Sequence, residues 1–147
     1  VNKDTMDAEV HFFLGACLAT TTAKKDAMDH LNCSLKLMEP EPTVVSRIYS
    51  EQGNIKRLES AYEEAYALYN KAWEADSTNP MALYLMASIL DNSLHRYKEA
   101  LVDYQRYIDE VDRISETERS NHQALSIRTI VEDRIIALKE ELFFLDQ

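Results

Sequence analysis

A chain of 147 residues is long enough for one domain that buries about 68–70% of its unfolded surface, so it needs no disulfide or metal to fold. Its formal net charge of −10 argues against nucleic acid as a partner, because phosphate binding needs a basic footprint. Two glycines and three prolines against 46% hydrophobic content leave too few turns for an all-β protein, and no apolar run is long enough to insert in a membrane, so an all-α fold is expected.

Residues 2–5 are polar, and His11, Leu14, Gly15 and Leu18 then recur at the three- and four-residue steps of a helix. Thr20, Thr21 and Thr22 favour its end, since β-branched side chains lose rotamer freedom in a helix and hydroxyls compete for backbone bonds. Ala27, Leu31 and Ser34 mark a second helix, stopped by Pro40 and Pro42. Cys17 and Cys33 lie among these apolar residues and are expected as buried free thiols, the alternative being a bridge or a reactive thiol. Val45, Ile48 and Tyr49 predict a short helix over 43–52, with Gly53 supplying a left-handed turn at its end. From Asn54 the positions Ile55, Leu58, Tyr62, Ala65, Tyr69 and Ala72 continue without a breaker, which predicts a helix of about 20 residues.

At the next joint Asn79 is the expected N-cap, with Pro80 in the first helical position. Leu83, Met86, Ala87 and Leu90 predict a helix over 80–90, broken by Asp91, Asn92 and Ser93. Tyr97, Ala100, Leu101, Tyr104, Tyr107, Ile108 and Val111 mark the helix that follows. Small residues recurring among large ones, as at Ala87, let two helices approach closely. Residues 113–123 read as a loop or a fraying helix end. A last helix over about 124–143 aligns Ile127, Ile130, Val131, Ile135, Leu138 and Leu142 in one stripe, opposite Arg128, Asp133, Lys139 and Glu140. It lacks the small-residue spacing and reads as a terminal cap.

Three paired-helix units, at about 8–41, 42–79 and 80–112, form one domain whose pattern resembles the tetratricopeptide repeat. The repeat's places are taken by His11, Leu14, Gly15, Leu18, Ala27, Leu31 and Pro40 in the first unit. In the third they are taken by Leu83, Met86, Ala87, Leu90, Ala100 and Tyr104, with no closing proline. In the middle unit Val45, Ser46, Tyr49 and Gly53 fit the first helix and turn, and Ala65, Tyr69 and Ala72 fit the second. About seven extra residues lie between, which two helical turns accommodate with the same face inward. In the alternative register Gly53 is the small packing residue of a longer first helix. The resemblance implies a right-handed α-solenoid of about three helical hairpins plus a C-terminal capping helix. Residues 131–144 are also similar to the end of bacterial envelope proteins with these repeats, which implies a periplasmic or envelope setting rather than the cytoplasm.

Catalytic chemistry finds little support. Gly15 and Gly53 make no phosphate loop, and His11, His30, His95 and His122 show neither a pair at helix spacing nor a zinc pattern with cysteine, so no metal or cofactor is expected. Glu63 and Glu64, like Glu140 and Glu141, are adjacent on a helix and point about 100° apart, as solvated faces do. Tyr62, Tyr66, Tyr69, Tyr97, Tyr104 and Tyr107 read as helix packing, with Tyr84 the exception.

The resemblance implies that the first helices of successive units line a concave groove for a peptide or partner helix. The inward residues would be Phe12, Ala16 and Ala19, then Thr43, Arg47 and Ser50, then Tyr84, Ser88 and Asp91. Phe12 and Tyr84 would be aromatic anchors, and Arg47 and Asp91 polar contacts. The alternative is that all nine are ordinary packed or solvated side chains. The family's chaperone-tail clamp needs Lys, Asn and Arg at several inward positions, which Phe12, Ala16 and Asp91 do not supply. The expected function is a non-enzymatic adaptor or scaffold for a protein partner. The alternatives are a structural module that self-associates through Leu142, Phe143, Phe144 and Leu145, and a regulatory module of a longer protein.

Overall fold

The computed structural model describes the backbone of residues 3–19, 23–37, 41–115 and 122–145, and side chains within 7–19, 23–37, 41–114 and 127–145. The expectations for residues 20–22, 38–40 and most of 113–123 lie outside the described residues. Among those described, the order is α1 (Lys3–Ala19), α2 (Lys24–Leu37), α3 (Pro42–Leu58), α4 (Tyr62–Ala75), α5 (Met81–Asn92), α6 (Tyr97–Ser115) and α7 (His122–Leu145). Two compact units divide them, Val1–Asp76 and Ser77–Gln147.

In the first unit α1 pairs with α2 and α3 with α4. Pro42 stands at the start of α3, where its missing N–H costs nothing, and the Val44 and Val45 amides donate to the Glu41 carbonyl at 3.1 and 3.0 Å. Gly53 does not end this helix, contrary to the short-helix expectation. It keeps a negative φ inside α3, and the reversal falls at Ser60, whose φ is 60°. The Ala61 amide closes the turn by donating to the Lys56 carbonyl at 2.9 Å. The predicted 20-residue second helix is therefore only α4, and the alternative register holds. A Cβ on Gly53 would stand 2.5 Å from Cε1 of Tyr69, so the glycine admits the tyrosine ring. Gly15 plays the same part in α1, where a Cβ would meet Cγ of Leu31 at 2.7 Å. Phe12, Ala19, Ala27, Leu31, Ile48 and Ile55 form one cluster of the core, with Leu18, Met28, Leu35 and Val44 against it.

In the second unit the Asn79 side chain caps α5 by accepting the Met81 N–H at 3.2 Å. The helix runs through the expected break at Asp91 and Asn92. It closes where the Ser93 and Leu94 amides both donate to the Ile89 carbonyl, and His95 takes a φ of 53°. Ala82, Leu83, Met86, Ala87, Ile89 and Leu90 of α5 are buried, as are Ala100, Tyr104, Tyr107, Ile108 and Val111 of α6. Helix α7 packs against α6, with Val131, Ile135 and Leu138 buried. Ile130, expected in the same stripe, is instead exposed, because it stands about 100° round the helix from Val131. Neither cysteine is in a disulfide, but Cys17 is exposed and Cys33 only half-buried, since neither falls on the lines Ala8–Phe12–Gly15–Ala19 and Ala27–Leu31–Ser34 that carry the packing.

Candidate functional site

Of the nine inward candidates, three are buried within their own helical packing. Phe12 and Ala19 lie in the core of the first unit, and the exposed Arg47 lays its guanidinium 5.1 Å from the Phe12 ring centroid. Phe12 therefore floors a cation–π contact rather than standing free as an anchor. Asp91 is 3% exposed, which rules out an open polar contact. Its carboxylate accepts from Arg134 Nη2 at 2.7 Å and Nε at 2.8 Å, and from the Tyr104 hydroxyl at 3.2 Å. Arg134 also donates from Nη1 to Glu141 at 2.9 Å. The Asp91 hydrogen bonds and those to Glu141 raise the Arg134 pKa, and burial first, then Asp91, pushes the Tyr104 hydroxyl up. A buried charge paired in this way ties α7 to α5.

The other six retain accessible surface. Ala16, Ser50, Tyr84 and Ser88 are half-buried, and Thr43 and Arg47 are exposed. The Tyr84 ring lies 5.9 and 6.5 Å from those of Tyr107 and Tyr104. The Ser88 carbonyl and hydroxyl accept from the Asn92 amide at 3.1 and 3.2 Å.

The register of α3 adds residues that the sequence pattern did not single out. Phe12, Ala16 and Ala19 stand three before, one after and four after Gly15, and Tyr84, Ser88 and Asp91 stand likewise about Ala87. The same offsets from Gly53 give Ser50, Asn54 and Arg57, so Thr43 and Arg47 lie two turns early. Asn54 is half-buried and accepts the Tyr69 hydroxyl at 2.8 Å, and Arg57 is exposed. The available signal was the twelve-residue step from Gly53 to Ala65, which repeats that from Gly15 to Ala27.

No protein-family model matches the chain, and no curated protein matches it. Among solved structures, the Arabidopsis OM64 TPR domain is similar with a TM-score of 0.66 at 19% identity, over 91% of this chain and 98% of that one. The structure described as MamA MSR-1 C2 gives a TM-score of 0.53 at 20% identity, over 96% of this chain and 82% of that one. At such identities the likeness carries the fold alone. The chain has the fold of a tetratricopeptide-repeat domain.

Proposed function

We propose that this protein is a non-enzymatic adaptor whose units recognise a segment of a partner protein through the first helix of each hairpin. The observation that supports it is the unused surface at the recurring offsets. Ala16, Ser50, Asn54 and Arg57 in the first unit, and Tyr84 and Ser88 in the second, are not consumed by the core. Arg57 and Tyr84 are of the residue types that dominate interface energetics. Thr43 and Arg47 extend the polar surface of α3 by two turns. Once a partner has been captured from the native organism, its affinity is measured for Arg57→Ala and Tyr84→Ala, each verified as folded. A drop of tenfold or more is expected in at least one of them. Unchanged affinity in both overturns the reading.

A second reading rests on α7, where Ile130, Ile136, Phe143, Phe144 and Leu145 are exposed. In it the protein self-associates as a structural module, and light scattering over a concentration series decides. A monomer at every concentration removes this alternative.

A further inference from the structure

His11 on α1 and His30 on α2 face one another with their Nδ1 atoms 2.8 Å apart and ring centroids at 5.1 Å. One ring donates and the other accepts, so the two Nδ1 atoms point at one another. We propose that this pair is a two-imidazole clip for a borderline-soft divalent metal of the zinc or nickel kind. The helices hold the rings there by contacts on either side of the pair. The Ser34 hydroxyl donates to the Ala8 carbonyl at 2.9 Å, and Gly15 lies close against the Ala27 carbonyl as well as Leu31.

Imidazole suits these metals, whose bonds to it are about 2.0–2.1 Å long, which sets two ligand nitrogens about 3.3 Å apart in a tetrahedron. The pair has only to open by about half an ångström, a side-chain adjustment that leaves the helices in place. Both rings are half-buried. Asn32, which accepts from Gln52 of α3 at 2.9 Å, stands about 200° round α2 from His30, so the pair lies on the flank turned away from α3. Among the described residues no group of three or more His, Cys, Asp or Glu is placed to hold a metal, so of these residues the two rings alone would be ligands, with water in the other positions. Asp7 and Asp26, one turn from each ring, add negative charge.

The test uses the whole chain with ZnCl2 and, separately, NiCl2. Thermal unfolding should rise by several degrees with metal in the wild type and equally in Cys17→Ser with Cys33→Ser. His11→Gln and His30→Gln should abolish the rise. Should either variant lose its helical circular dichroism, paramagnetic Ni2+ is added to the wild type instead, where it should broaden the ring resonances of His11 and His30 before that of His95. No rise in the wild type, a rise that survives both glutamine variants, or one that depends on the cysteines overturns the proposal. So does broadening that spares the pair.

Discussion

Glycine inside a helix is ordinarily worse than alanine by about 0.5–1 kcal/mol, so replacing Gly53 should stabilise α3 if propensity alone decided. The Tyr69 ring decides otherwise. Its carbons would lie 2.5, 2.7 and 3.1 Å from the new Cβ, and its hydroxyl is tethered to Asn54, so the ring cannot swing clear without losing that bond. Overpacking of this kind costs about 1–3 kcal/mol, which outweighs the gain in helix propensity. Gly53→Ala is expected to lower the urea midpoint, and a higher midpoint would mean that Tyr69 yields. Ala87 is the equivalent residue of α5 and is fully buried. Ala87→Leu should cost about 1–3 kcal/mol for the same reason, and a neutral midpoint would take Ala87 out of the helix contact.

At the scale of elements, the buried apolar residues of α7 among those described are the large Val131, Ile135 and Leu138, and they hold the helix together with the Asp91–Arg134 pair. The Asp91 side chain is 2% exposed and that of Arg134 is 32% exposed. Removing the arginine strands a buried carboxylate with only the Tyr104 hydroxyl. Breaking a buried pair costs about 3–5 kcal/mol, and the partial exposure of Arg134 places this one near the lower end. Arg134→Met should speed amide exchange along α7 more than elsewhere, and adding Asp91→Leu should restore most of the loss, since no charge is then left buried. Unaltered exchange in the single variant would show that apolar packing alone holds the helix. The same cluster sets an alkaline limit. Tyr104, and in the same direction Tyr69 and Tyr107, hold their protons above the ordinary tyrosine value of 10.0, chiefly because they are buried. Above that pH the folded chain binds more protons than the unfolded one, so this contribution is intact below about pH 10 and falls as pH rises through the folded values. Tyr104→Phe should make the fall in urea midpoint between about pH 9 and about pH 11 shallower, and an identical slope would exclude Tyr104 as a cause.

At the scale of the whole molecule, what was legible in the sequence was what depends on local spacing. The steps among Gly15, Ala27 and Leu31, and among Ala87, Ala100 and Tyr104, mark helices that must approach closely, and that pattern names the fold. Gly53 misled because glycine serves both as a helix stop and as a packing gap, and only the place of Tyr69 on another helix distinguishes the two. The His11–His30 pair, 19 residues apart, and the Asp91–Arg134 pair, 43 apart, follow no period within one helix and so left no mark. Charge is legible without any structure, and here two effects oppose. A net charge of −10 makes the folded chain repel itself, which salt relieves. Salt also weakens exposed ion pairs such as Lys56–Glu64 at 3.1 Å and Arg128–Asp112 at 2.9 Å, each worth about 0–1 kcal/mol. The excess of acidic over basic residues is 26 − 16 = 10, so the carboxylates outnumber the Lys and Arg side chains available to them, and repulsion is expected to outweigh pairs worth so little each. Raising NaCl from about 0.01 M to about 1 M shortens the screening distance from about 30 Å to about 3 Å, and the urea midpoint should rise. A lower midpoint would mean that the surface pairs outweigh the net charge.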